Sequence, residues 1–190
     1  MMTLPRVRPT LADRELVARV AEGHLEALGE LFDRYETDVR RFLGRLGVTA
    51  SDADDLVQAT FLELLRAAVK FDPALSAKGF LFGLATILVR RHRRSLSRRA
   101  ALLFAFRSEA RQVAVPSVDG SFETDEELRR FQRALERLSS KKREVFALVV
   151  LEGVSGEEVA RTLGIPLNTV WTRLHHARRE LRRALEEGVQ

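Results

Sequence analysis

Cysteine is absent from the 190 residues of the chain, and so are long apolar runs. Without cysteine, a disulfide scaffold, a thiolate zinc site and thiol catalysis are excluded, and the composition fits a reducing compartment. The most apolar stretch, residues 80–89, is half the roughly 20 residues that a membrane span needs. The N-terminal residues carry charges and no continuous apolar run, so we expect no secretory signal. These absences predict a cytoplasmic protein that does not insert into membranes on its own.

Negative charge is also in deficit, since 32 Lys and Arg stand against 27 Asp and Glu, giving a net charge of +5 and a pI near 10.3. Such a balance favours an acidic partner such as nucleic acid. The excess is concentrated in residues 90–99, RRHRRSLSRR, which hold six arginines and no acid. A polyanion would neutralise this cluster. The alternative is a solvated helix end. His92 has no second ligand at a suitable spacing, so we expect no metal site.

The apolar residues recur with a helical period almost everywhere, and no alternating strand pattern occurs, so the sequence predicts an all-α fold. Four helices are expected in the first part of the chain, at about 11–22, 28–46, 51–71 and 77–99. Gly47 is expected to end the second helix, and Asp72-Pro73 the third. Ser51 with Asp54 resembles a capping box at the start of the third helix. These helices can share one core.

Residues 107–124 have no lasting period and contain Pro116 and Gly120, which predicts a flexible linker. The linker divides the chain into two small helical domains, residues 1–106 and 125–190. Capping boxes are expected at Thr124 with Glu127, where the linker ends, and at Ser155 with Glu158, and a helix is expected over about 141–152. Gly164 and Pro166 are expected to end the short helix that Ser155 begins.

The short helix, the turn at residues 164–166 and the basic helix after it form a candidate helix-turn-helix. In the basic helix, Val170, Leu174, Ala177 and Leu181 recur at helical spacing, so they predict the buried face. The side chains outside this stripe are mostly hydrogen-bond donors, as expected for DNA contact: Asn168, Thr169, Trp171, Thr172, Arg173, His175, His176 and Arg178. For residues 178–183, an equally good explanation is that arginines complement the helix dipole.

An acidic segment, SDADDLVQATFLE at residues 51–63, contrasts with these basic stretches. Acids in the first turn of a helix are commonly explained by the helix dipole. That explanation does not cover Gln58 or Glu63.

Taken together, these motifs resemble the extracytoplasmic-function (ECF) sigma factors of bacteria. Region two of that family is similar to D-D-L-V-Q-x-T-F at 54–61, F-D-P at 71–73, F-L-F-x-L-A at 80–85 and the arginine run after it. Region four is similar to L-S-x-K-x-R-E-V-F at 138–146, L-E-G-V-S-x-E-E-V-A at 151–160, L-G-I-P at 163–166 and R-L-H-x-A-R-R-x-L at 173–181. The two sets occur in the family's order.

The resemblance implies a non-catalytic subunit that binds core RNA polymerase and directs it to promoter DNA, without a cofactor. The residues implied for polymerase binding are Asp54, Asp55, Gln58 and Glu63. Those implied for the −10 element are Lys78, Phe80, Ile87, Arg90, Arg91, Arg93 and Arg94. The second helix of the helix-turn-helix is implied to read the −35 element. An anti-sigma factor is a candidate further partner.

The chain departs from the family pattern at three positions. Phe80 stands where tryptophan is common, and Ile87 stands where asparagine is common. The apolar side chain of Ile87 cannot hydrogen-bond a base. Trp171 replaces a small or basic residue, so it can contact a thymine methyl or pack on a neighbouring helix.

The alternative function, a stand-alone helix-turn-helix regulator, would leave the acidic segment at 51–63 unexplained. An enzyme is not expected, because no metal-ligand spacing, glycine-rich phosphate loop or nucleophile motif occurs.

Overall fold

The computed structural model describes residues 11–106 and 126–187, with side chains of the first range up to residue 101, and these ranges contain helices and no strand. The N-terminal half, residues 11–106, consists of α1 (Asp13–Ala21), α2 (Leu25–Arg45), α3 (Ala50–Ala67) and α4 (Ala77–Phe106). The C-terminal half, residues 126–187, consists of α5 (Glu126–Arg137), α6 (Ser140–Phe146), α7 (Gly156–Leu163) and α8 (Leu167–Glu187). The predicted all-α class is confirmed. The predicted linker at 107–124, and Thr124 of the second capping box, lie outside the described residues.

The N-terminal half is held together by the apolar faces that the helical period predicts. On α2, Leu31, Val39, Phe42 and Leu43 are completely or almost completely buried. The ring of Phe42 stacks on that of Phe82 in α4, with centroids 4.7 Å apart and an angle of 6° between the planes. Stacked aromatic pairs add about 1 kcal/mol to the burial of their area. This contact fixes α4, which carries the arginine run, against the bundle.

The start of α3 differs from the prediction, because the Ser51–Asp54 capping box is wrong. The helix begins at Ala50 with Thr49 as its N-cap. The Thr49 hydroxyl donates to Asp52 Oδ2 at 2.6 Å instead of accepting a backbone N–H. Val48, one residue earlier, is buried and fixes where the chain enters the helix. The third helix also ends earlier than expected, at Ala67, and a 3-10 turn at Ala68–Lys70 leads to Asp72 and Pro73.

The helix-turn-helix of the C-terminal half forms with the predicted signals. The Ser155 hydroxyl accepts the Glu158 N–H at 3.2 Å at the start of α7. At its end Gly164 has φ +63°, and the Ile165 N–H donates to the Ala160 carbonyl at 3.0 Å. This is the Schellman pattern that a left-handed glycine permits. One difference precedes the motif, since the helix expected over 141–152 is α6 followed by a π turn at Ala147–Leu151.

The two halves pack directly against each other through α4 and α7. A Cβ atom built on Gly83 of α4 would lie 1.9 Å from Thr162 Cγ2 of α7. Only glycine therefore permits this approach of the two helices. As a result, side chains of the C-terminal half reach the surface of α4 on which the predicted −10 residues lie.

Candidate nucleic-acid interface

The buried stripe of α8 fixes which of its side chains are available to DNA. Val170, Leu174, Ala177 and Leu181 are all buried, as predicted. Five of the eight candidate DNA-binding residues are exposed, namely Asn168, Trp171, Thr172, His175 and Arg178. The other three are half-buried, namely Thr169, Arg173 and His176. The structure thus brings all eight onto the first three turns of α8. Their contact with DNA stays a prediction.

The arginines of α8 have no acidic partner among the described residues. The single acid within the basic stretch, Glu180, binds Lys142 Nζ at 2.6 Å, so it does not neutralise Arg173 or Arg178. An unpaired guanidinium can bind a phosphate or make a bidentate contact with a guanine edge. The Thr172 hydroxyl is already used, since it donates to the Asn168 carbonyl at 2.8 Å.

Trp171 packs on a neighbouring helix, which is one of the two alternatives that the sequence left open. The edge of its indole lies against the backbone of Gly156 at the start of α7, where a Cβ would come within 2.5 Å of Trp171 Cζ2. The side chain nevertheless remains 44% exposed. The ring is therefore held in place by packing while one part of it stays open to a ligand.

On α3 the predicted polymerase-binding residues form one exposed face, with one exception. Asp54, Asp55 and Gln58 are exposed. Asp54 pairs with Arg40, whereas Asp55 and Gln58 have no partner within the described part of the chain. Glu63 turns toward two arginines instead, with Arg66 at 3.9 Å and Arg91 at 3.8 Å.

Sequence reasoning missed two apolar residues on this side of the N-terminal half. Leu62, one turn after Gln58, and Val69, beyond the end of α3, are both exposed. Their spacing was the available signal, because residues three and four apart share a helix face. The acidic face of α3 is thus followed by two exposed apolar side chains.

The arginine run of α4 divides between two environments. Arg91 and Arg94 are exposed, whereas Arg90 and Arg93 face the rest of the protein. Arg90 Nε and Nη2 donate to Glu144 Oε2 at 2.9 and 2.6 Å. Arg93 donates to the carbonyl of Leu46, and burial lowers the pKa of its guanidinium. Of the four arginines predicted to contact the −10 element, two are therefore open in this arrangement.

The remaining −10 candidates lie near the start of α4. Lys78 Nζ is 3.0 Å from Glu152 Oε2. The half-buried Phe80 packs on Phe71, with ring centroids 5.2 Å apart and the planes tilted by 55°. Ile87 is half-buried. Phe71 was missed as a partner of Phe80, although the F-D-P motif contains it.

The described part of the chain was searched for clusters of metal-ligating side chains and for helices that could span a membrane. Its residues contain no cluster of three or more His, Cys, Asp or Glu side chains that could hold a metal ion. His92 Nε2 lies 3.5 Å from Asp52 Oδ2 alone. None of the described helices is both long enough and apolar enough to cross a membrane.

Comparison with known families finds two matches, one in each half. Residues 31–99 match Sigma-70 region 2, and residues 128–181 match Sigma-70, region 4. Together they cover the α3 face, the arginine run and the helix-turn-helix.

Among curated proteins, the RNA polymerase sigma factor CarQ of Myxococcus xanthus is 31% identical over 89% of this chain and 95% of its own length. The RNA polymerase sigma factor NccH of Alcaligenes xylosoxydans xylosoxydans is 30% identical over 93% of this chain and 96% of its own. Among solved structures, CnrH in complex with the cytosolic domain of CnrY superposes with a TM-score of 0.65 at 30% identity. That likeness covers 93% of this chain and 99% of CnrH. CnrH is curated as an RNA polymerase sigma factor of Cupriavidus metallidurans.

Proposed function

The chain belongs to the ECF group of the sigma-70 RNA polymerase sigma factors, and from this membership we propose how its surfaces divide between polymerase and promoter. It binds core RNA polymerase, recognises −35 and −10 promoter elements and promotes transcription initiation. The stand-alone regulator is not favoured, because the chain matches Sigma-70 region 2 in addition to the region that contains the helix-turn-helix. Sigma factors are initiation factors, and we propose that this chain has no catalytic activity or cofactor of its own.

The proposed domains are residues 1–106 and 125–190, joined by a linker at 107–124. The two family matches fall inside these bounds, which supports the division. The first domain would bind the polymerase and the −10 element, and the second would bind the −35 element.

The polymerase surface would be the exposed face of α3. Asp54, Asp55 and Gln58 offer carboxylate and amide groups there, and Leu62 adds apolar area next to them. Interfaces of this kind combine a buried apolar centre with a polar rim. Glu63 would act at the edge, since it faces Arg91.

The −10 surface would be the first part of α4. An unstacked base needs an aromatic or apolar wall, and its backbone needs cations. Phe80, held by Phe71, would supply the wall, with Ile87 making apolar contact only. The exposed Arg91 and Arg94 would bind phosphates, joined by Lys78, Arg90 and Arg93 once these are released from their contacts within the chain.

The −35 surface would be the first three turns of α8, and one observation carries this assignment. The buried stripe turns a row of hydrogen-bond donors outward, and its arginines have no acidic partner within the described residues. In a helix-turn-helix, the N-terminal residues of the second helix contact base edges. Asn168, Trp171 and Arg173 occupy that position.

We also propose a cytoplasmic location and an anti-sigma protein as a regulatory partner. The solved structure of CnrH, which is similar over nearly the whole chain, holds the cytosolic domain of CnrY. Core RNA polymerase and promoter DNA, the other partners, are cytoplasmic in bacteria.

Replacing Arg173 by alanine tests the −35 assignment. If Arg173 reads a base edge, the variant should lose roughly 1 to 3 kcal/mol of discrimination at one promoter position. If it binds a phosphate, all sequences should weaken about equally. Binding to a library randomised across the −35 element separates these outcomes. Arg182→Ala, an exposed arginine further along α8, is the matched control. An Arg173→Ala profile that equals that of the unaltered chain in affinity and preference would remove Arg173 from the site.

A further inference from the structure

Trp171 is the one large apolar side chain of α8 that stays exposed within the described residues, and it is the only tryptophan of the chain. It is the fifth residue of α8, which begins at Leu167. In a helix-turn-helix, this part of the second helix meets the base edges in the major groove. A large apolar side chain that is 44% exposed at such a place is available to a ligand.

The ring of Trp171 is held against the first residue of α7. Gly156 is buried there, and a Cβ atom on it would lie 2.5, 2.7 and 3.2 Å from Cζ2, Cη2 and Cε2 of the indole. Contacts under 3.0 Å are shorter than van der Waals packing allows, so the indole keeps this place only because residue 156 has no side chain. The backbone of α7 therefore orders the ring before DNA arrives, which lowers the cost of binding.

The orientation of the indole decides which of its atoms can meet DNA. The three atoms nearest to Gly156 belong to the side of the ring system that also bears Nε1, the polar group of the side chain. The opposite side, with Cε3 and Cζ3, carries only C–H groups and is turned away from Gly156. Trp171 therefore offers DNA an apolar surface and no charge.

One base presents an apolar group in the major groove. Thymine carries its C5-methyl group there, whereas the other three bases present hydrogen-bond donors and acceptors. Phosphates are negatively charged and bind cations, so a hydrocarbon surface does not suit them. Burying the methyl group against the indole removes apolar surface of both from water, which favours the complex.

A second residue of the same face matches the base that pairs with thymine. Asn168 lies three positions before Trp171, so the two side chains are neighbours on the helix. Asn168 is exposed, and the hydrogen bond that the structure describes for it uses its backbone carbonyl, as the acceptor from Thr172. An asparagine amide matches N6 and N7 of adenine. The two side chains together favour an A·T pair.

We propose that Trp171 reads the methyl group of a thymine in the −35 element, and that Gly156 is the positioning residue that holds the indole for this contact. The inference rests on the proposed −35 function of α8, and it names the base that this surface selects. Through the ring, the start of α7 contributes to base selection without a base contact at Gly156.

The position of the ring is tested first by fluorescence of the free full-length chain, because Trp171 is the single tryptophan. Gly156→Ala should displace the indole into water, so that its emission shifts to longer wavelength and acrylamide quenches it more strongly. Gly156 does not have a positive φ, so its backbone accepts alanine. Gly29→Ala is the matched control, since a Cβ on that helical glycine meets nothing within 4 Å. Equal emission and quenching in the two variants would contradict the role of Gly156.

Removing the methyl group tests the base contact in the holoenzyme. Core RNA polymerase with the unaltered chain first selects its preferred duplex from a library randomised across the −35 element. Each thymine of that duplex is then replaced, one at a time, by deoxyuridine, which lacks only the C5-methyl group. One replacement should weaken binding about fourfold, as expected for the burial of a single methyl group. A preferred duplex in which no such replacement weakens binding overturns the proposal.

The thymine and deoxyuridine duplexes also show whether Trp171 makes the contact. The Trp171→Ala holoenzyme should bind both duplexes equally, as a double-mutant cycle requires of two groups that interact. Gly156→Ala should reduce the fourfold difference, because the ring is displaced. Arg182→Ala, which alters an exposed arginine further along α8, should keep the difference. A difference that persists undiminished in Trp171→Ala would assign the methyl contact to another residue and sink the proposal.

These outcomes are distinguishable from a failure of the proposed function. If the holoenzyme selects no sequence from the library, α8 does not read a −35 element, and the thymine contact fails together with that function. If the holoenzyme selects a sequence whose thymines all tolerate deoxyuridine, the −35 function stands and only the thymine contact is wrong.

Discussion

Binding to core RNA polymerase is expected to weaken by more than about a hundredfold when Asp54, Asp55 and Gln58 are replaced together by alanine. These side chains are exposed on one face of α3, and Asp55 and Gln58 have no partner among the described residues, so they are available to another protein. A few polar anchors at the centre of an interface contribute about 3 kcal/mol, which corresponds to that factor. Titration of labelled core polymerase with the variant measures the loss.

The fold should not change in this variant. The Asp54–Arg40 pair is exposed, and pairs of that kind contribute at most about 1 kcal/mol to stability. Circular dichroism and DNA binding by α8 should therefore match the unaltered chain. As a control, Glu15, Asp33 and Glu186 can be replaced by alanine, since all three are exposed and lie off the α3 face. If the α3 variant binds polymerase as tightly as this control, the acids serve only the helix dipole.

Promoter opening is expected to fail when Arg90, Arg91 and Arg94 are replaced together by glutamine. If all three bind phosphates in the holoenzyme–promoter complex, the salt dependence of binding should flatten by up to about 0.9 log units per log unit of salt for each duplex phosphate that the variant no longer binds. Permanganate reactivity of promoter thymines follows the opening. Binding to core polymerase should change much less, because the run lies on α4 and the proposed docking face lies on α3.

The pair Arg91→Gln/Arg94→Gln separates two roles of the run. It leaves the Arg90–Glu144 contact intact and replaces only the two exposed arginines of the triple variant. If the three arginines contribute equally, the flattening of the salt dependence in the double variant should be about two thirds of that in the triple variant. Should the triple variant open promoters normally with an unchanged salt slope, the run is a solvated helix end and the −10 contacts lie elsewhere.

The helices and the helix-turn-helix could be predicted from the sequence because their signals are local. The stripe from Val170 to Leu181 sets the rotation of α8 by itself, and Gly164 sets the turn through a conformation that glycine adopts readily. The start of α3 was mispredicted for an equally local reason. Thr49 and Ser51 are each followed by an aspartate three residues later, so the local sequence offers two possible N-caps. The buried Val48 decides between them.

The partners of the charged residues could not be predicted in this way. Arg90 and Glu144 are 54 residues apart, and each belongs to a segment that looks solvated when it is considered alone. Glu158 illustrates the limit well. Its backbone N–H completes the predicted cap with Ser155, whereas its carboxylate reaches Ser76 in the other half of the chain. No periodicity encodes such a contact, because it depends on how the two helical halves of the chain meet. Gly83 and Thr162 both stand in the sequence, but nothing in the sequence indicates that they lie against each other in the fold.

Reconstituted transcription tests the central claim most directly. Core RNA polymerase, with and without the purified chain, would transcribe genomic DNA of the organism that encodes it, and sequencing of the 5′ ends would map every start site. The sigma-factor account predicts new start sites that appear only with the chain and share one pair of elements near −35 and −10. Start sites that are the same with and without the chain would contradict it.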